Sequence, residues 1–78
     1  MNDPEILSEN SDYYVINKPA GYSVEPHTSY PSISDWLNIA FNIYMLKDLD
    51  RFGIVHRLDV ETSGVLIWAK NKLAQEDL

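Results

Sequence analysis

Between His56 and Ser63 the chain carries an imidazole, a guanidinium, two carboxylates and two hydroxyls, as His56-Arg57-Leu58-Asp59-Val60-Glu61-Thr62-Ser63, followed by Gly64. Chemistry-capable side chains on a short loop between two rigid apolar segments are a common way of building an active site. Each residue also has an ordinary structural reading. Asp59 can be a turn aspartate capping its own backbone, Arg57 a surface or ion-paired arginine, and His56 a satisfied structural histidine. Thr62-Ser63-Gly64 can be a turn held by hydroxyl-to-backbone bonds. His56 and Asp59 lack a third ligand nearby, so no metal site is read here. Ser63 lacks the surroundings of a nucleophile elbow, which excludes a serine hydrolase of that kind.

The loop needs rigid neighbours, and the flanking sequence supplies them. Val65-Leu66-Ile67-Trp68-Ala69-Lys70 reads as a strand apolar on both faces and therefore buried. Tyr13-Tyr14-Val15-Ile16-Asn17-Lys18 reads as another strand, ended by Pro19 and the Ala20-Gly21 turn signal. Tyr22-Ser23-Val24-Glu25 alternates as a second short strand stopped by Pro26, and residues 1–11 read as a solvated lead-in. Trp36, Leu37, Ala40, Phe41 and Tyr44, flanked by Ile33 and Ile43, share one helical face, with Ser32 and Asp35 as a capping box. Residues 47–51 are a polar connector, Gly53 opens the next element, and Asn71 is a natural N-cap for a closing helix. Tyr14, Ile16, Trp36, Leu37, Phe41, Tyr44, Val65, Ile67 and Trp68 are the expected core. The expected fold class is α+β, with a mixed, largely antiparallel sheet and a packed helix.

With 78 residues the chain is one domain at most, close to the lower size for a self-sufficient core. It has no cysteine, hence no disulfide, thiolate metal site or thiol nucleophile. The N-terminus lacks the basic and apolar regions of a secretory signal, and no apolar run is long enough to span a bilayer. A soluble, cytoplasmic protein with no membrane partner is expected. Net charge is −6, which argues against a stand-alone nucleic-acid binder. The charge is uneven: residues 1–46 hold −5 and residues 47–78 hold −1, so the bases gather around the loop.

The ordered set of residues says more than its members. His56-Arg57-Leu58-Asp59, then Thr62-Ser63-Gly64 and a strand ending in Ala69-Lys70, resembles the central motif of the RluA-like RNA pseudouridine synthases. Upstream, Asn17-Lys18-Pro19-Ala20-Gly21 with Val24 and Pro26 matches a second element of that family, in the right order. The resemblance runs from about Leu7 to Leu78. It implies a fragment of the pseudouridine synthase catalytic fold that isomerises uridine in ribosomal or transfer RNA without metal or cofactor.

By the same resemblance Asp59 is the catalytic aspartate. It would free uracil from its N1 linkage, acting on the sugar as nucleophile or base, before the base is rejoined through C5. A target uridine must leave its stack, which costs a few kcal/mol. The resemblance assigns Arg57 to the place the base vacates, His56 and Thr62 to adjacent contacts, and Lys18 to support from the neighbouring strand or to the surface. It also implies a tyrosine packing on the base and a basic partner for the aspartate. Neither motif occurs in these residues. The expectation is therefore a single partial domain over residues 1–78, the N-terminal portion of a catalytic domain, inactive in isolation. The rival readings are a non-catalytic RNA-binding or assembly module of the same fold, and a small interaction domain whose loop is purely structural.

Overall fold

The computed structural model describes residues 3–41 and 53–77. Three strands, β1 (Glu5–Glu9), β2 (Tyr13–Lys18) and β3 (Gly64–Ala69), form a sheet in the order β1-β2-β3. Two helices, α1 (Ile33–Phe41) and α2 (Lys72–Asp77), complete an α+β arrangement. Both strand pairings are antiparallel, as the expectation of a largely antiparallel sheet has it, and no parallel strand pairing joins them among the described residues.

Strand β2 is central because alternation suits a strand with one buried face. Tyr14, Ile16 and Lys18 point inward and are buried, while Tyr13, Val15 and Asn17 are half-buried. Opposite them across the ladder stand Trp68, Leu66 and Gly64 of β3. Leu66 and Trp68 are fully buried, whereas Val65 is 56% exposed. The expectation of a β3 buried on both faces is thus corrected. The strand alternates as half-covered antiparallel strands do, and Val65 and Ile67 leave the expected core to Leu66.

The N-terminal segment is also corrected. Residues 5–9 are a strand, not a solvated lead-in, and pair with β2 through a shift between Ile6 and Ser8. A polar edge strand shows little apolar periodicity, so its sequence looks like a tail. The turn that follows is closed by the Asn10 carboxamide oxygen, which accepts the backbone N–H of Asp12 at 2.8 Å and of Tyr13 at 2.9 Å. Lys70, the residue after β3, secures this turn. Its ammonium reaches Glu9 and the Asn10 carbonyl, both at 2.8 Å, and lies over the Tyr14 ring.

Tyr22-Ser23-Val24-Glu25 is not a strand. It makes one parallel bridge, Ser23 to Ser32, because its carbonyls serve α1 instead. The N–H groups of Ile33 and Ser34, which have no partner inside the helix, donate to Ser23 O at 2.8 Å and Val24 O at 3.1 Å. Ser32 caps the same turn as expected, its hydroxyl accepting from the Asp35 N–H at 3.0 Å. The helix buries Ile33, Ser34 and Leu37. Trp36 is only half-buried, Ala40 is exposed and Phe41 is 41% exposed, so the buried stripe is rotated from the expected one. Phe41 stacks on Tyr14 at 5.3 Å between ring centroids. Ile43, Tyr44 and the 47–51 connector lie outside the described residues. Asn71 caps α2, its side-chain oxygen accepting from the Ala74 N–H at 2.8 Å.

Tyr14, Ile16, Val24, Ile33, Leu37, Ile54, Leu66 and Trp68 form one core. Gly53 enters it with φ at 99°. A Cβ there would lie 2.3 Å from the Ala69 carbonyl and 3.2 Å from the Trp68 indole. Gly53→Ala is therefore expected to destabilise the fold by about 1–3 kcal/mol, measured as a lowered midpoint in urea unfolding.

Candidate active site

The loop from His56 to Ser63 leaves the core at Ile54, which bridges to Trp68, and returns at Gly64 to start β3. Its middle is a tight turn. The Thr62 N–H donates to the Asp59 carbonyl at 3.0 Å, placing Val60 and Glu61 at the apex. A second element holds this turn from outside. Gly21, at φ 95°, turns its N–H onto the Val60 carbonyl at 2.7 Å. The two sequence motifs therefore meet in space, although nearly 40 residues of sequence lie between Gly21 and Val60.

Lys18 makes the strongest tie between them. Its residue is fully buried, and its ammonium donates to Thr62 O at 2.6 Å, Val60 O at 3.2 Å and Pro19 O at 3.2 Å. A lysine has three N–H donors and here three carbonyls receive them. The surface alternative for Lys18 is overturned by this burial. A buried ammonium would be unfavourable without such partners. Burial pulls its pKa below the ordinary 10.5, while the charges of Glu61 and then Asp59 favour the protonated form. Lys18 thus sits beneath the loop as an internal counter-charge to its two carboxylates.

His56 turns the other way. Its Nε2 accepts the Ile67 N–H at 3.0 Å, which closes part of the β3 edge not paired with β2. Arg57 reaches across to Glu25, Nη1 to Oε1 at 3.0 Å. Leu58 packs against the core and anchors the loop between the two polar side chains. Asp59 is exposed, and among the described residues no hydrogen bond or ion pair reaches its carboxylate. Thr62 is exposed and contributes to the loop through its backbone.

Arg57 and Asp59 line a cleft of about 700 Å³, with residues 57–60 on one wall and residues 23–27 on the other. His56, Thr62 and Lys18 lie outside its lining. Sequence reading missed the opposite wall. Glu25, read as a strand residue, faces Arg57, and the signal available was only an acid placed between Val24 and Pro26. The arrangement offers a carboxylate on a hydrogen-bonded turn beside a guanidinium, at the edge of an open cleft. Among the described residues no cluster of three or more His, Asp or Glu is placed to hold a metal ion. No helix among them is long and apolar enough to cross a membrane.

Comparison with known proteins bears directly on this geometry. The family model described as RNA pseudouridylate synthase matches residues 12–78. The chain is 45% identical over 67 residues to ribosomal large subunit pseudouridine synthase D of Buchnera aphidicola subsp. Acyrthosiphon pisum, covering 86% of this chain and 22% of that protein. It is 45% identical over 76 residues to the protein of the same name from Borreliella burgdorferi, covering 85% and 22%. An uncharacterised RNA pseudouridine synthase of Aquifex aeolicus is 42% identical over 79 residues, covering 94% and 24%. The chain thus spans about a fifth to a quarter of the length of the curated relatives it matches. Across both motifs and the sheet that joins them, the chain belongs to the RNA pseudouridylate synthase family.

Proposed function

We propose that this chain carries the aspartate-bearing loop of an enzyme that isomerises uridine to pseudouridine in RNA, with Asp59 as the catalytic residue. The observation that supports this most is the convergence of Lys18, Gly21 and the Asp59–Thr62 turn. Two motifs apart in sequence form one mount, and the Asp59 carboxylate stands on it at the cleft with no hydrogen bond or ion pair from a described residue. A carboxylate meant only for structure would cap its own turn, and this one does not.

The reaction breaks the N1–C1′ bond of uridine, turns the base, forms a C5–C1′ bond, releases the C5 hydrogen as a proton and leaves a proton on N1 in its place. The protein's part is to hold an ionised carboxylate at a fixed place against the sugar and to exclude unproductive geometries. Arg57 stands two residues from Asp59, where a guanidinium can stack in the space left by an extruded base while bonding phosphate. His56, Thr62 and Lys18 act through the loop's shape. The names of the relatives support large-subunit ribosomal RNA as the substrate class, and with it a place in the cytoplasm. The tyrosine and basic partner implied by the family are not among these residues, so the full activity belongs to a polypeptide that supplies them.

The test is tritium release from RNA labelled at uridine C5, using the polypeptide that carries this sequence and ribosomal and transfer RNA as separate substrates. Release from ribosomal RNA supports the reading. Absence of release from both RNAs, with folded protein, contradicts it.

A further inference from the structure

The cleft contains a charged group that the reaction does not use. Glu25 stands on backbone fixed at several points: the Ser23 hydroxyl donates to the Glu25 carbonyl, and the first turn of α1 holds Ser23 O and Val24 O. Its carboxylate meets Arg57 at 3.0 Å, 32 residues away in sequence. Arg57 is the one Lys or Arg lining the cleft among the described residues, against the two carboxylates of Glu25 and Asp59. A polyanion entering there meets a guanidinium already neutralised.

Resting on the assignment of Arg57 to RNA, we propose that Glu25 sets the protein's affinity for RNA: it occupies Arg57 until the nucleic acid displaces it. The pair is suited to exchange. Its side chains are 65% and 36% exposed, and pairs this open to water are weak. An RNA phosphate offers the guanidinium a charge-assisted, two-pronged bond in return. Glu25 therefore lowers affinity by competing with the nucleic acid for Arg57. A weak or non-nucleic anion does not repay this exchange, so Glu25 also sharpens selection for RNA.

The experiment is a fluorescence-anisotropy titration of a uridine-looped stem–loop RNA against the polypeptide carrying this sequence, at several salt concentrations. Glu25→Gln is expected to tighten binding about three- to ten-fold at low salt. It should also steepen the log–log salt dependence by up to about 0.9, because one guanidinium becomes available to phosphate. Glu25→Ala should behave alike, so a folding defect in one variant does not decide the matter. The gain must disappear when Arg57→Ala is also present. An equal gain in the Arg57→Ala background, or weaker binding by both Glu25 variants, overturns the inference and leaves the enzyme reading standing. Failure of the unsubstituted protein to bind RNA overturns both together.

Discussion

Asp59→Asn is expected to abolish tritium release, with a loss of at least about 10³-fold in turnover, comparable with removal of groups that act directly in a transition state. Three observations support so large an effect with so small a structural change. The carboxylate is exposed, no described residue bonds it, and its backbone carbonyl, which closes the turn with Thr62, is retained in asparagine. Surface substitutions of this kind usually change stability by no more than about 0.5 kcal/mol. An electrostatic consequence falls on Lys18, whose protonated form loses the favourable field of Asp59 but keeps that of Glu61. Measured side by side, the variant should show wild-type urea unfolding, near-wild-type RNA binding and no product. A parallel fall in stability would instead assign Asp59 to the turn, as the structural rival holds.

The second large effect belongs to Lys18→Met. Methionine fills similar space but leaves the Pro19 and Thr62 carbonyls without the ammonium that served them. The Val60 carbonyl retains the Gly21 N–H. The buried Pro19 acceptor without a partner costs about 1–3 kcal/mol and the part-buried Thr62 acceptor less, partly offset by no longer burying a charge. A net loss of about 1–3 kcal/mol is expected. Activity should fall further than the folded fraction explains, since a shift of about 1 Å in the turn can cost about 10²-fold. The pH dependence has a defined sign. The folded pKa of Lys18 lies below its unfolded value, so between the two the unfolded chain holds more protons. The contribution of Lys18 to stability therefore rises with pH across that window and is lower, and constant, below it. Urea unfolding of wild type and Lys18→Met over the alkaline range should show the difference growing as pH approaches 10.5.

How much of this was legible in the sequence depended on the range of each interaction. Caps act within three residues, and Ser32 and Asn71 cap as their spacing implies. Strand β2 was visible from its β-branched and aromatic residues, whereas its alternation of buried and half-buried side chains emerges only from its packing. Strand β1 was not, since its place depends on a ladder with β2 rather than on any apolar period of its own. Tyr22 to Glu25 alternates like a strand, yet its carbonyls answer the helix that begins at Ile33, a demand invisible within the segment itself. The inward frame of β3 was misjudged because every residue from Val65 to Ala69 is apolar, so composition could not distinguish Leu66 from Val65.

The site shows the same division. Asp59 and Arg57 could be named from their order in the motif. The mount could not, because Lys18 finds its carbonyls 42 and 44 residues downstream. Nor could the opposite wall, where Glu25 meets Arg57 through a fold-level contact. Motifs identify chemistry, and the sheet that brings β2 against β3 determines which side chains serve that chemistry and which hold it in place.

The most direct measurement is a map of pseudouridine in ribosomal RNA, by carbodiimide labelling and primer extension, from cells whose own gene is replaced by the Asp59→Asn allele. At least one pseudouridine present in the parent should disappear, and return when the unsubstituted gene is restored. A complete parental pseudouridine pattern in the Asp59→Asn cells, with the variant protein folded and present at normal level, would contradict the assignment of Asp59 to the reaction.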